Sequence, residues 1–188
     1  AQRLQSDPDL KYMNPNTANS SNIGRLIPQI AYYFSTYASI AQEYGEIVYF
    51  SVPSGNFGNA VAGLFAIKMG LPIKLIIGVN ENDVFARFYN TGIYTPANET
   101  KSSLSNSMNI NWPSNMRRLF QLYMGQLIEG RDPDNAERKI VDPRSIMPTH
   151  NLMKEDIVAA YSISDRKTNE IIWDFYNDMI MQNLKHIP

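Results

Sequence analysis

The sequence contains no cysteine, and only 2 of its 188 residues are histidine. The absence of cysteine excludes disulfide bonds and thiolate metal sites, and two histidines without paired ligand spacing are poor metal ligands, so we predict no metal site. An excess of one charge is also lacking, because the formal net charge is −1. This balance gives no electrostatic reason to expect nucleic acid or an acidic membrane surface as a partner. No apolar run reaches the length of a membrane-spanning helix, and residues 1–5 do not resemble a signal peptide, so we expect a cytoplasmic protein.

The rest of the composition is that of a globular domain. Hydrophobic residues make up 44% of the chain and charged residues 19%, which is enough apolar material for one core. We find no internal repeat, low-complexity segment or linker, so we predict a single domain over residues 1–188. Residues 1–18 are polar and interrupted by Pro8 and Pro15, and we expect little regular structure there.

A glycine loop at residues 51–59 (SVPSGNFGN) is the most informative stretch. It follows a strand-like run at residues 46–52 and opens a helix that runs from about Gly58 to Gly70. Such a loop presents unpaired backbone N–H groups at the positive end of a helix, which suits a phosphate. The spacing matches neither a P-loop nor a dinucleotide fingerprint, and no lysine follows, so a bound phosphate would be an anchor rather than a transferred group. An ordinary strand-to-helix turn is the alternative interpretation.

The segments around this loop predict parallel strands. Residues 46–52, the helix at 58–69 and a second apolar run at 73–79 form a βαβ unit with a right-handed crossover. Two strands are too few for a stable sheet, so we expect further strands from residues 100–150 or from sequence outside the chain. Asn80 follows the second strand at its carboxyl end, where open α/β sheets bind ligands, and it is a candidate lining residue. Asp83 is predicted to cap the next helix, with Asn82 as the alternative cap.

Three more helices are predicted from capping residues and apolar spacing. Asn22 caps the first, whose predicted apolar stripe includes Ile23, Leu26 and Ile27 and which ends before Gly45. Ser114 caps a second, with Arg117 and Arg118 on its solvated side and a phosphate role as the lesser alternative. A long amphipathic helix begins near residue 164, with its apolar stripe at residues 171–184.

At the glycine loop the sequence resembles a known family. The blocks at residues 53–59 (PSGNFGN), 70–73 (GLPI) and 80–83 (NEND), together with 19–29 (NSSNIGRLIPQ), 91–94 (TGIY) and 105–108 (SNSM), are similar to threonine synthase over residues 19–125. That family uses pyridoxal 5'-phosphate (PLP). The resemblance implies an α/β fold with a partial parallel sheet and flanking helices, like the large domain of PLP fold type II enzymes. It implies a cofactor-phosphate cradle formed by Ser54, Gly55, Asn56, Phe57, Gly58 and Asn59.

The resemblance also implies a reaction, in which O-phospho-L-homoserine and water give L-threonine and phosphate. The substrate brings a second phosphate, and the candidate residues to hold it are Asn19, Asn22, Arg25, Asn80 and Asn82. A solvated Arg25 is the alternative for that residue. The family's loop at residues 91–111 closes over the active site, and Asn109 stands where the family commonly has aspartate, so a charge role there is not expected.

The cofactor-bearing lysine of the family lies upstream of the matched region, and no lysine of this sequence stands in a matching motif. The residues that meet the pyridine nitrogen lie downstream of it. We therefore expect an internal part of a longer enzyme, with no catalytic residue in this chain. A non-catalytic module that binds a phosphorylated metabolite or a protein partner, and another PLP-dependent eliminase or sulfhydrylase, are the alternatives. The oligomeric state is not predicted.

Overall fold

A computed structural model describes residues 8–9, 19–97, 99–123, 129–132, 135–141 and 143–184. The prediction of little regular structure in residues 1–18 lies outside the described residues, apart from Pro8 and Asp9. The helices are α1 (Ile23–Ile40), α2 (Gly58–Lys68), α3 (Val84–Thr91), α4 (Met116–Leu122), α5 (Pro143–Met153) and α6 (Asp165–Leu184). The strands are β1 (Val48–Pro53), β2 (Ile73–Val79), β3 (Glu129–Asp132), β4 (Asn135–Val141) and β5 (Ile157–Ser162).

The central element is a three-stranded parallel sheet in the order β1-β2-β5. Strands β1 and β2 pair in register from Val48 opposite Ile73 to Pro53 opposite Gly78, with α2 as the crossover between them. The predicted βαβ unit is therefore confirmed. The three strands point the same way, so their carboxyl ends share one edge of the sheet.

The third strand does not come from the segment that we expected. Strand β5 pairs with β2 and lies at residues 157–162, after the 100–150 range. The strands within that range, β3 and β4, form a separate antiparallel pair. The expectation that residues 100–150 would extend the parallel sheet is wrong for the described residues.

The core lies on one face of this sheet. Alternate residues of β2 are buried, and they share that face with Val52 of β1 and with Ile157 and Ala160 of β5. Most of α2 is buried as well, since it is apolar on all sides. The opposite face carries Tyr49 and Tyr161, which are 61% and 60% exposed. The described residues thus cover one face and leave side chains of the other exposed.

The outer helices follow the predicted spans more closely than the predicted faces. Asn22 caps α1, because its side chain accepts a hydrogen bond from the N–H of Gly24, but the buried residues of that helix are Leu26 and Tyr33 while Ile23 and Ile27 are exposed. Helix α6 also forms as predicted. None of its apolar side chains described up to residue 180 belongs to the core, and those that are exposed include Ile171, Ile172, Phe175, Tyr176 and Met179.

Two capping predictions are wrong in detail. Asp83 occupies the cap position of α3, but its carboxylate pairs with Arg87 at 2.9 Å and makes no capping bond. Ser114 is not the cap of α4, where Asn115 takes that position.

None of the described helices combines the length and the apolar character that crossing a membrane requires.

Candidate functional site

The candidate site is the loop of residues 54–59, here called the cradle, which joins β1 to α2. It lies at the carboxyl edge of the sheet, and the N–H of Ser54 donates to the carbonyl of Gly78 in β2 at 2.8 Å. Strand β5 ends at the same edge, because the N–H of Ile163, directly after β5, donates to the carbonyl of Val79 in β2 at 2.9 Å. Ligands of open α/β sheets bind at this edge.

Phe57 fixes the shape of the cradle at the start of α2. Its backbone is left-handed with φ of 67°, which is unusual for a residue with a bulky side chain. The ring is 1% exposed and packs against Phe85 with ring centroids 4.1 Å apart. Burial of the ring therefore holds the loop in a conformation that the backbone alone would not favour.

The side chains of Ser54 and Asn59 form hydrogen bonds within the loop and stabilise its conformation. The hydroxyl of Ser54 donates to Oδ1 of Asn59 at 2.7 Å, and Nδ2 of Asn59 donates to the carbonyl of Pro53 at 2.7 Å. The hydroxyl of Tyr33 donates to the carbonyl of Asn59 at 2.8 Å. Burial raises the pKa of Tyr33 to about 12, so the hydroxyl keeps its proton and remains a donor at neutral pH.

The side chain of Asn56 ties the cradle to two distant segments. Its Oδ1 accepts from the N–H of Ser114 at 2.6 Å and from the hydroxyl of Ser114 at 3.0 Å. Its Nδ2 donates to the hydroxyl of Ser20 at 2.6 Å. Ser114 therefore supports the cradle instead of capping a helix.

The groups of the cradle that remain available to a ligand are backbone N–H groups. Among the residues that the structure describes, the N–H groups of residues 55–59 have no acceptor. They precede and open α2, an eleven-residue helix whose dipole favours an anion at this end. Because the side chains of Ser54, Asn56 and Asn59 are already bonded within the protein and five consecutive backbone N–H groups have no acceptor among the described residues, the chemistry of this donor set fits a phosphate group.

The glycines of the cradle are required by close approach. A Cβ at Gly55 would lie 2.6 Å from Cα of Met108, in the loop that follows α3. A Cβ at Gly58 would lie 3.3 Å from Nδ2 of Asn115 and 3.4 Å from the carbonyl oxygen of Ser20. Neighbouring backbone thus closes around the cradle from both sides.

Asn80 and Asn82, predicted as substrate-binding residues, bind the 101–109 loop through their side chains. Nδ2 of Asn80 donates to Oδ1 of Asn109 at 2.8 Å and to the hydroxyl of Ser103 at 2.8 Å. Asn82 donates to the carbonyl of Lys101 at 2.9 Å and accepts from its N–H at 2.8 Å. The neutral Asn109 therefore acts as an acceptor that fixes this loop, a role that needs no charge.

The remaining predicted substrate residues lie in the turn of residues 19–22 and the first turn of α1. Oδ1 of Asn19 accepts from the N–H of Ser21 at 3.0 Å, and Asn22 caps the helix. Arg25 is exposed in the first helical turn. The bond between Ser20 and Asn56 places this turn directly beside the cradle.

Sequence reasoning missed the residues that join the cradle to the turn of residues 19–22. Asn115 donates to both of them, and Arg118, which we predicted to be solvated, donates to Asn115 and to the carbonyl of Ser21. The signal available was the stretch Pro113–Asn115, which lies within the region of family resemblance at residues 19–125.

The chain is an α/β domain built on a parallel sheet, and at the carboxyl edge of that sheet the backbone N–H groups of residues 55–59 have no acceptor among the described residues. No family model matches the chain. The chain is 38% identical over 151 residues to the threonine synthase of Escherichia coli strain K12, a match that covers 79% of this chain and 34% of that enzyme. It is 47% identical over 109 residues to the threonine synthase of Buchnera aphidicola subsp. Baizongia pistaciae, covering 57% of this chain and 25% of that enzyme.

Solved structures agree with these relatives. The PLP-bound threonine synthase of Brucella melitensis superposes with a TM-score of 0.70 at 27% identity, over 87% of this chain and 35% of that one. The Escherichia coli enzyme gives a TM-score of 0.65 at 32% identity, over 90% and 35% of the two chains. The chain is threonine synthase-like by sequence and by fold, which confirms the predicted resemblance and fold class. It spans about a quarter to a third of the length of these relatives.

Proposed function

We propose that this chain supplies the cofactor-phosphate-binding part of a PLP-dependent threonine synthase, within a polypeptide longer than residues 1–188. The proposed reaction converts O-phospho-L-homoserine and water to L-threonine and phosphate. The observation that carries the proposal is the set of backbone N–H groups at residues 55–59, held without an acceptor among the described residues in a chain of threonine synthase-like fold. The cytoplasmic location stays a prediction.

The cradle suits the phosphate of PLP for physical reasons. PLP, when bound, supplies the electron sink for chemistry at the substrate's carbon atoms. The task of this chain is to hold the cofactor's phosphate, and fixed amide donors at a helix N-terminus do so without a counter-charge. The left-handed backbone of Phe57 fixes the conformation of the loop that carries these N–H groups. The bonded side chains of Ser54, Asn56 and Asn59 hold it there. Little ordering of the loop is then required when the cofactor binds.

The substrate's phosphate needs a second set of donors, and the turn of residues 19–22 with Arg25 is the best candidate. It lies beside the cradle through the Ser20–Asn56 bond, and it combines a cation with the start of a helix. Asn80 and Asn82 are weaker candidates, because their amides already bind the 101–109 loop.

Two lysines near the sheet are ill-placed to react with a cofactor in the cradle. Nζ of Lys68 pairs with Asp156 at 2.8 Å, and Lys74 donates to the carbonyl of Glu155. Both acidic residues precede β5, so these contacts lie at the amino edge of the sheet, opposite the cradle. This placement argues against either of these two lysines as the cofactor-bearing residue.

The test is phosphate release from O-phospho-L-homoserine by the complete enzyme loaded with PLP, measured beside residues 1–188 alone. We expect release and L-threonine formation by the complete enzyme and none by residues 1–188. Turnover by residues 1–188 with added PLP would refute the external lysine. A PLP-loaded complete protein that releases no phosphate would remove threonine synthase in favour of another eliminase or a binding module.

A further inference from the structure

We propose that Asn115 is a positioning residue that sets the separation between the cradle and the turn of residues 19–22. The inference rests on the proposed function, because it assigns one phosphate to each of these two segments. Nothing in the sequence comparison assigns a role to this side chain.

The side chain of Asn115 joins the two segments directly. It is 0% exposed and lies between them. Its Nδ2 donates to the carbonyl of Ser20 at 2.8 Å and to the carbonyl of Asn56 at 2.9 Å. Both protons of one amide are therefore used, one on each segment.

Arg118 determines which way the amide of Asn115 faces. Its Nη1 donates to Oδ1 of Asn115 at 2.6 Å, and its Nη2 donates to the carbonyl of Ser21 at 2.9 Å. A guanidinium can only donate, so the amide oxygen must point to it and the NH₂ group must point to the two carbonyls. A flipped amide would leave donors facing donors and acceptors facing acceptors.

The position of Asn115 also couples it to the ligand side of the cradle. The two carbonyls it binds belong to Ser20 and Asn56, which are linked a second time through their side chains at 2.6 Å. The backbone of Gly58 lies so close that a Cβ there would come within 3.3 Å of Nδ2 of Asn115. Movement of Asn115 would therefore shift the N–H groups of the cradle, although the amide of Asn115 itself is fully bonded within the protein.

The informative variant is Asn115→Asp in the complete enzyme. It preserves size and the contact with Arg118, but it replaces the NH₂ group by a carboxylate oxygen that repels both carbonyls. We expect the affinity of the apoenzyme for PLP to fall by about tenfold or more, and the KM for O-phospho-L-homoserine to rise by at least as much. The kcat at saturating PLP and substrate should fall less. PLP affinity is measured by absorbance titration of the apoenzyme, and the kinetic constants by phosphate release.

The matched control is Asn111→Asp. Asn111 is also buried and lies four positions earlier, but its Nδ2 donates to no group among the described residues, and no bond joins it to the cradle there. This variant should lower the melting temperature while leaving PLP affinity within about twofold of wild type. Arg118→Met is the second variant, used if Asn115→Asp does not fold, and it should also weaken PLP binding because it frees the amide to turn.

Wild-type PLP affinity and unchanged KM in Asn115→Asp, or in Arg118→Met where the first variant does not fold, would overturn the inference. An equal loss of PLP affinity in Asn111→Asp would do so too, since the effect would then reflect general destabilisation. Failure of the proposed function gives a different pattern: the wild-type protein binds PLP and Asn115→Asp weakens that binding, but no phosphate is released. Absence of PLP binding by the wild-type enzyme would overturn both.

Discussion

Gly55 shows how closely the cradle is packed against its neighbours. A Cβ at this position would lie 2.6 Å from Cα of Met108 and 3.0 Å from its carbonyl oxygen, and neither backbone atom can rotate away. The loop of residues 101–109, held by Asn80 and Asn82, would have to move as a unit. Position 55 therefore requires glycine because there is no space for a Cβ, and not because of its backbone conformation.

We predict that Gly55→Ala destabilises the protein by about 1–3 kcal/mol and weakens PLP binding, because overpacking displaces either the cradle or the 101–109 loop. Thermal unfolding and PLP titration of the complete enzyme measure the two effects. Gly78→Ala is the control, since its Cβ would find its nearest atom, Cα of Pro53, at 3.9 Å. Equal behaviour of the two variants would show that Met108 does not pack against the cradle.

At this scale the sequence predicted the backbone of the site better than its side chains. The glycine spacing and the helix start are local, so the loop of residues 54–59 could be located from them. The partners of Asn56 and Asn59 could not, because Ser20, Tyr33 and Ser114 are distant in the chain and become neighbours only through the fold. Long-range hydrogen bonds of this kind leave no periodic pattern.

Among the elements, β1, α2 and β2 were predictable and β5 was not. The first three have β-branched runs or an apolar helix bounded by glycine or proline. Strand β5 contains Ala159 and Ala160, which have low strand propensity, and it becomes a strand by pairing with β2. For α1 and α6, apolar spacing shows that a stripe exists without showing what covers it.

The exposed face of the sheet yields a prediction at this scale. Parallel sheets are covered on both faces, and the relatives are about three times longer than the chain, so we expect another segment of the same polypeptide to cover Tyr161. Tyr161→Glu should then destabilise the complete enzyme by more than about 3 kcal/mol, since it buries an unpaired charge.

Tyr44→Glu is the matched control for that variant. Tyr44 is fully exposed in the turn before β1, and its replacement should change stability by less than about 0.5 kcal/mol. Denaturant unfolding of the complete enzyme measures both variants. If Tyr161→Glu is as mild as Tyr44→Glu, the second face of the sheet is open to solvent.

Across the whole molecule, the two edges of the parallel sheet carry different kinds of contact. At the amino edge, Asp156 pairs with Lys68 and accepts from the hydroxyl of Tyr123 at 2.5 Å, which joins α2, α4 and β5. Burial and the bond to Asp156 raise the pKa of Tyr123, so this hydroxyl stays protonated. At the carboxyl edge, the cradle and the turn of residues 19–22 keep polar groups together around backbone donors. The amino edge thus carries this ion pair and tyrosine hydrogen bond, and the proposed binding site lies at the opposite edge.

The most direct test of this account is a crystal structure of the complete enzyme with PLP bound. The account predicts phosphate oxygens within about 3.2 Å of backbone nitrogens of residues 55–59, with the side chains of Ser54 and Asn59 still bonded to each other. A PLP phosphate bound by side chains elsewhere in the protein, with the N–H groups of the cradle facing water, would contradict it.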